Sequence, residues 1–127
     1  MIDEMREALF LNVAVKKEYR ERICYEFGRK KKRMKGIDRF SHGCDVILNN
    51  NKTTDFSSFS KIFMEDTDKE YYVVSFDYLE GIVLSKEQCF NYLCNSSTAI
   101  VIGRRFIFIK EEPEKSFIVY CFEIKNS

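Results

Sequence analysis

Three apolar runs towards the C-terminal end constrain the fold of this chain most: Ala99-Ile100-Val101-Ile102, Phe106-Ile107-Phe108-Ile109, and Phe117 through Ile124. β-Branched and aromatic residues at this density suit a pleated, packed surface. Gly103-Arg104-Arg105 separates the first two runs, and a loop around Pro113 separates the second from the third, so the three are predicted to pair as a meander. Upstream, Tyr71 to Phe76 reads as another strand, residues 77–81 as a turn, and Ile82-Val83-Leu84 as a short strand. Ser85-Lys86-Glu87-Gln88 then has the S-x-x-Q form of a capping box, in which the Ser and Gln side chains satisfy opposite free amides. It predicts a helix that carries Cys89, Phe90 and Leu93 and ends at Asn95-Ser96-Ser97.

The N-terminal part has the helical period instead. From Asp3 to about Met34 the residues are good helix formers without proline, and Tyr19, Ile23 and Phe27 recur at i, i+4, i+8. Residues 12–15 are expected to divide a short first helix from a longer one starting near Lys16, which weakens or ends at Gly28. Gly36 is expected to act as a stop, after which Ile37, Phe40, Cys44, Ile47 and Leu48 repeat at helical spacing until Asn49-Asn50-Asn51. Asp55 can cap a further helix with Phe56, Phe59, Ile62 and Phe63 on one face. The fold class that follows is α+β, with N-terminal helices packed on one face of a mainly antiparallel sheet of about five strands. A chain of 127 residues with 45% apolar content, 12 Phe and a single Pro suits one globular domain over residues 1–127.

Charge is nearly balanced at +1, yet six of the seven residues from Arg29 to Lys35 are cationic: Arg29, Lys30, Lys31, Lys32, Arg33 and Lys35. Such density belongs on a solvated face or against an anionic surface. The run is expected to encircle the end of a helix, exposed, where cations also favour the macrodipole. Its candidate partners are the acidic patch of a protein or a nucleic-acid backbone. The modest pI of 7.6 weighs against a dedicated nonspecific DNA binder, and the absence of aromatics inside the run leaves single-strand stacking unsupported. Arg104 and Arg105 lie at a predicted turn between strands. If Phe106–Ile109 or Phe117–Ile124 forms a sheet edge, a partner strand could add there, with the two arginines selecting its charge.

Motifs for catalysis are sparse. His42 is the one histidine, and Cys44, two residues on, would diverge from it on a helix. An enzyme centred on His42 ranks last among the readings. Five cysteines at irregular spacing, without a C-x-x-C pair, suggest reduced thiols packed as small hydrophobes and neither a disulfide framework nor a zinc site. Glu65, Asp66, Asp68 and Glu70 crowd one segment without the order of a calcium loop, and read as a solvated connection. No glycine-rich phosphate motif occurs, so no cofactor is predicted. Without a basic leader or a long apolar stretch, the expectation is a cytoplasmic protein with no membrane partner.

From Tyr71 onward, the order of strand, turn, short strand, capped helix and three-strand meander resembles the small α/β immunity proteins that bacteria encode beside contact-dependent or polymorphic toxins. Tyr72 to Phe76, Leu84 to Gln88 and Ala99 to Ile109 carry the resemblance, which covers the C-terminal half. It implies a non-catalytic task, the binding and neutralisation of one cognate toxin domain. The basic segment departs from the acidic character common among inhibitors of nucleases, and implies an acidic toxin or binding outside its catalytic cleft.

Overall fold

The computed structural model describes residues 2–49, 53–112 and 117–125. The loop around Pro113 and the predicted break at Asn50-Asn51 lie outside them. The elements run α1 (Glu4–Ala14), α2 (Lys17–Phe27), α3 (Arg33–His42), α4 (Cys44–Ile47), β1 (Thr53–Thr54), α5 (Phe56–Glu65), β2 (Glu70–Ser75), β3 (Val83–Ser85), α6 (Lys86–Asn95), β4 (Ala99–Ile102), β5 (Phe106–Lys110) and β6 (Val119–Glu123). The fold is α+β.

The strands form one antiparallel sheet in the order β1-β6-β5-β4-β2-β3. The meander forms as expected, with Val101 opposite Phe108 and Phe108 opposite Cys121. Because side chains alternate across a strand, each central strand feeds two cores. Tyr72, Val74, Ile100, Ile102, Ile107, Ile109, Tyr120 and Phe122 pack with Phe10, Ile23, Phe27, Ile37, Phe40 and Leu48 of the N-terminal helical region. Tyr71, Val73, Ala99, Val101, Phe108 and Val119 pack on the opposite side with Phe59 and Phe63 of α5 and Cys89 and Leu93 of α6. The N-terminal helices therefore cover one face, and α5 with α6 the other. At about 1.5–3 kcal/mol for each large apolar side chain fully buried, these two layers are the main stabilising term.

The local signals work as the chemistry demands. Asp55 accepts the Ser58 amide at 2.8 Å to start α5, and the Ser85 and Gln88 groups exchange both bonds of a capping box to start α6. Three expectations are corrected. The basic run does not encircle a helix end: the helix carrying Tyr19, Ile23 and Phe27 ends at Phe27, as expected from Gly28, and residues 29–32 lie in the turn between α2 and α3. Gly36 stops nothing. It sits inside α3, where a Cβ would stand 2.9 Å from Phe27 Cδ1 and 3.0 Å from Glu26 Cβ, so its lack of a side chain lets α3 cross α2 closely. The strand-addition expectation is narrowed as well: β5 is flanked by β4 and β6 and offers no edge, whereas β1 pairs with β6 only at Val119 and Tyr120, and the sheet ends on β1 and β3.

Candidate partner-binding surface

Residues 29–32 form a turn closed by Lys32 N–H to Arg29 O and Arg33 N–H to Arg29 O, both at 2.8 Å. Arg29, Lys30, Lys31 and Lys32 are exposed, as is Lys35 one turn into α3. Arg33 is not. It is 4% exposed, which corrects the expectation that the whole run faces solvent. Its Nη1 and Nη2 donate to the two carboxylate oxygens of Glu7 at 2.8 and 2.7 Å, its Nε and Nη2 donate to Glu80 at 2.8 and 2.9 Å, and Nη1 also reaches Phe27 O at 3.0 Å. All five guanidinium donors are thus used.

Burial alone would disfavour the Arg33 charge. The hydrogen bonds to Glu7 and Glu80 overcome it and raise its pKa above the ordinary arginine value. Glu7 also accepts from Tyr72 Oη at 2.6 Å, and Tyr72 Oη accepts the Asp3 amide at 2.9 Å. One side chain of the basic run therefore ties α1, the β2–β3 turn and strand β2 together, and the four exposed cations beside it project from a braced turn. The sequence carried a signal for this: Arg33, Gly36, Ile37 and Phe40 fall at i, i+3, i+4, i+7, and all four are buried.

Next to the turn lies a groove of about 530 Å³ between α1 and α2, lined by Met5, Ala8 and Leu11 on one side and Cys24, Phe27 and Gly28 on the other. Ile2 and Met5 also wall a second depression of about 490 Å³, which reaches Tyr72, Gly81 and Val83 beside the β3 edge. Met5 is 85% exposed and Ile2 47%, so the two form an apolar ridge between the depressions. The Arg29 guanidinium stacks over the exposed Tyr25 ring at 4.9 Å, which occupies one face of the nearest aromatic.

Arg104 and Arg105 are exposed on the β4–β5 turn. Both their backbone amides donate to Asp68 Oδ2, at 3.0 and 2.9 Å, and Gly103 leaves the space for that carboxylate, since a Cβ there would stand 2.3 Å from it. Arg104 shares a depression of about 460 Å³ with Arg6 and Lys69, and no residue of the 29–35 run lines it. The structure thus separates the two groups of candidate cations.

The acidic segment is only partly solvated, which amends its expected role. Glu65 and Glu70 are exposed, but Asp66 and Asp68 are buried. Asp66 accepts from Tyr71 Oη at 2.5 Å, while its backbone carbonyl accepts from Lys86 Nζ. His42 is exposed and stands 3.3 Å from Glu112, whereas Cys44 is buried, its Sγ donating to Phe40 O at 3.0 Å and its pKa raised by burial. The pair does not converge. Among the described residues no group of three or more His, Cys, Asp or Glu could hold a metal ion.

Nor is any described helix long and apolar enough to cross a membrane. No protein family matches the chain, and no curated protein or solved structure does either.

Proposed function

We propose that this chain is a non-catalytic binding protein that docks a partner protein through the α2–α3 turn, and that the partner is a bacterial toxin domain which it neutralises in the cytosol. The observation that carries the binding reading is the contrast within one short run. Arg29, Lys30, Lys31 and Lys32 are exposed, while Arg33 anchors their turn through the buried carboxylate of Glu7 and the half-buried one of Glu80. Fixed cations next to an exposed apolar ridge suit a protein interface, where charge raises the encounter rate and apolar area slows dissociation. Arg104 and Arg105, on a separate surface, are proposed as a subsidiary contact. The toxin as partner rests on the resemblance of the C-terminal half to immunity proteins.

A direct test expresses the reading frame adjacent to this gene, alone and together with the chain. Growth arrest relieved by co-expression, with one complex surviving gel filtration, is the expected result. A neighbouring product that is harmless, or that arrests growth equally with the chain present, overturns the proposal. Nucleic acid is the competing ligand. Salt-sensitive retention of an oligonucleotide that Lys30→Glu, Lys31→Glu and Lys32→Glu abolish would favour it instead.

A further inference from the structure

We infer that the groove between α1 and α2 takes an amphipathic segment of the partner, with apolar side chains seated against Met5, Leu11, Cys24 and Phe27 and carboxylates turned to the cations of the α2–α3 turn. This rests on the binding-protein reading and names the chemistry of what is bound. Two independent features select that occupant. The groove is mainly apolar, and Glu7, the carboxylate on its floor, is already spent on Arg33 and Tyr72, so an incoming apolar face meets no unpaired buried charge there. At its Gly28 end the chain passes directly into Arg29, Lys30, Lys31 and Lys32, all exposed, against the single exposed carboxylate of Glu4 on the lining. Charge complementarity therefore favours an acidic segment over a basic one. Met5, unbranched and almost fully exposed, is suited to fold over whatever enters.

Helical pairing fits the shape. α1 and α2 are joined by a two-residue connection and pack side by side, so a third helix can lie along the seam between them as in a helix-in-groove complex. A second copy of this chain is a poorer fit, because its own α2–α3 turn carries cations and no carboxylate to meet these.

Two measurements decide this. In the first, a helical peptide with leucines on one face and glutamates on the other is titrated into the labelled protein and followed by amide chemical shifts. The expected shifts fall on Met5, Ala8, Cys24, Gly28 and the turn, with a peptide carrying lysines for glutamates binding at least about tenfold more weakly. Shifts elsewhere, no binding up to millimolar peptide, equal binding of the lysine peptide, or a dimer that dissociates through the same residues on dilution each overturn the inference. In the second, the exposed Cys24 thiol is capped with N-ethylmaleimide, which adds uncharged bulk inside the groove, and Met5→Glu serves as an unmodified control. Both should weaken the toxin-domain complex at least about tenfold without changing the unfolding midpoint. A toxin domain that binds the capped and uncapped protein equally removes the groove and leaves the binding-protein reading intact. A peptide that seats in the groove of a protein with no affinity for the toxin domain does the reverse.

Discussion

Arg33 and Glu7 meet through two parallel hydrogen bonds, Nη1 to Oε1 at 2.8 Å and Nη2 to Oε2 at 2.7 Å, with both residues buried. The pair joins residues far apart in sequence and fixes the turn that presents the other cations. Arg33→Ala leaves Glu7 and Glu80 without their counter-charge, and removing one partner of a buried pair costs about 3–5 kcal/mol. Lys31→Ala, on the exposed part of the same run, should stay within about 0.5 kcal/mol of wild type. Urea denaturation of the two variants checks this. Equal stabilities would mean that Arg33 does not anchor the turn.

Gly103→Ala should be destabilising by about 1–3 kcal/mol, because its Cβ would meet Asp68 Oδ2 at 2.3 Å and Tyr71 Cε1 at 2.9 Å. The carboxylate cannot retreat without releasing the Arg104 and Arg105 amides. Amide exchange should accelerate at these two positions in the variant. A variant as stable as wild type, with both amides still protected, would contradict the packing described here.

Glu26 is buried, and its hydrogen bond from Arg39, with Nε to Oε1 at 2.6 Å, holds the carboxyl below the ordinary carboxylate pKa against the opposing effect of burial. A carboxyl whose folded pKa is depressed contributes stability that is complete above its unfolded pKa and is lost as pH falls through the folded one. Stability should therefore fall below about pH 4.5, the ordinary glutamate value, and Glu26→Gln should flatten that part of the profile. Parallel acid profiles for wild type and variant would remove Glu26 as a source.

Thiol chemistry should be graded by burial. Cys24 is exposed, whereas burial pushes the Cys89 thiol up to about 12 and that of Cys121 up to about 11, with Cys44 raised as well. Since the thiolate is the reactive form, a disulfide reagent at pH 8 should modify Cys24 rapidly and Cys44 and Cys89 only on unfolding. Peptide mapping after a short exposure identifies the modified residue. Label on Cys44 or Cys89 in the native protein would contradict the core assignment.

The parts of the fold legible in the sequence were those governed by local chemistry. Asp55 and the Ser85–Gln88 box are satisfied by neighbours three residues away, and the β-branched and aromatic runs within residues 71–76 and 99–109 supply the strands that feed the two cores. Features set by distant partners were not. Charge groups Arg33 with its neighbours, whereas its helical phase places it with Ile37 and Phe40, and its partners Glu7 and Glu80 lie on other elements. Gly36 resembles a helix stop until α2 supplies the close contact. The sheet edges depended on strand order, and the two-residue β1 that covers part of β6 has almost no signal of its own. Lys110, at the end of β5, is 3% exposed and caps the end of α6 through Leu93 O at 2.6 Å, a contact between distant elements.

The most direct test of the proposed function is the association rate of the toxin domain with wild-type protein and with the combined Lys30→Glu, Lys31→Glu, Lys32→Glu variant across ionic strength. Cations exposed on a fixed turn steer encounter, and salt screens them over a Debye length of about 8–10 Å. The wild-type rate should fall as salt rises. At low salt the variant should associate at least about tenfold more slowly, with its unfolding midpoint retained. Equal rates at low salt, with the complex forming normally, would contradict the claim that this turn is the docking surface.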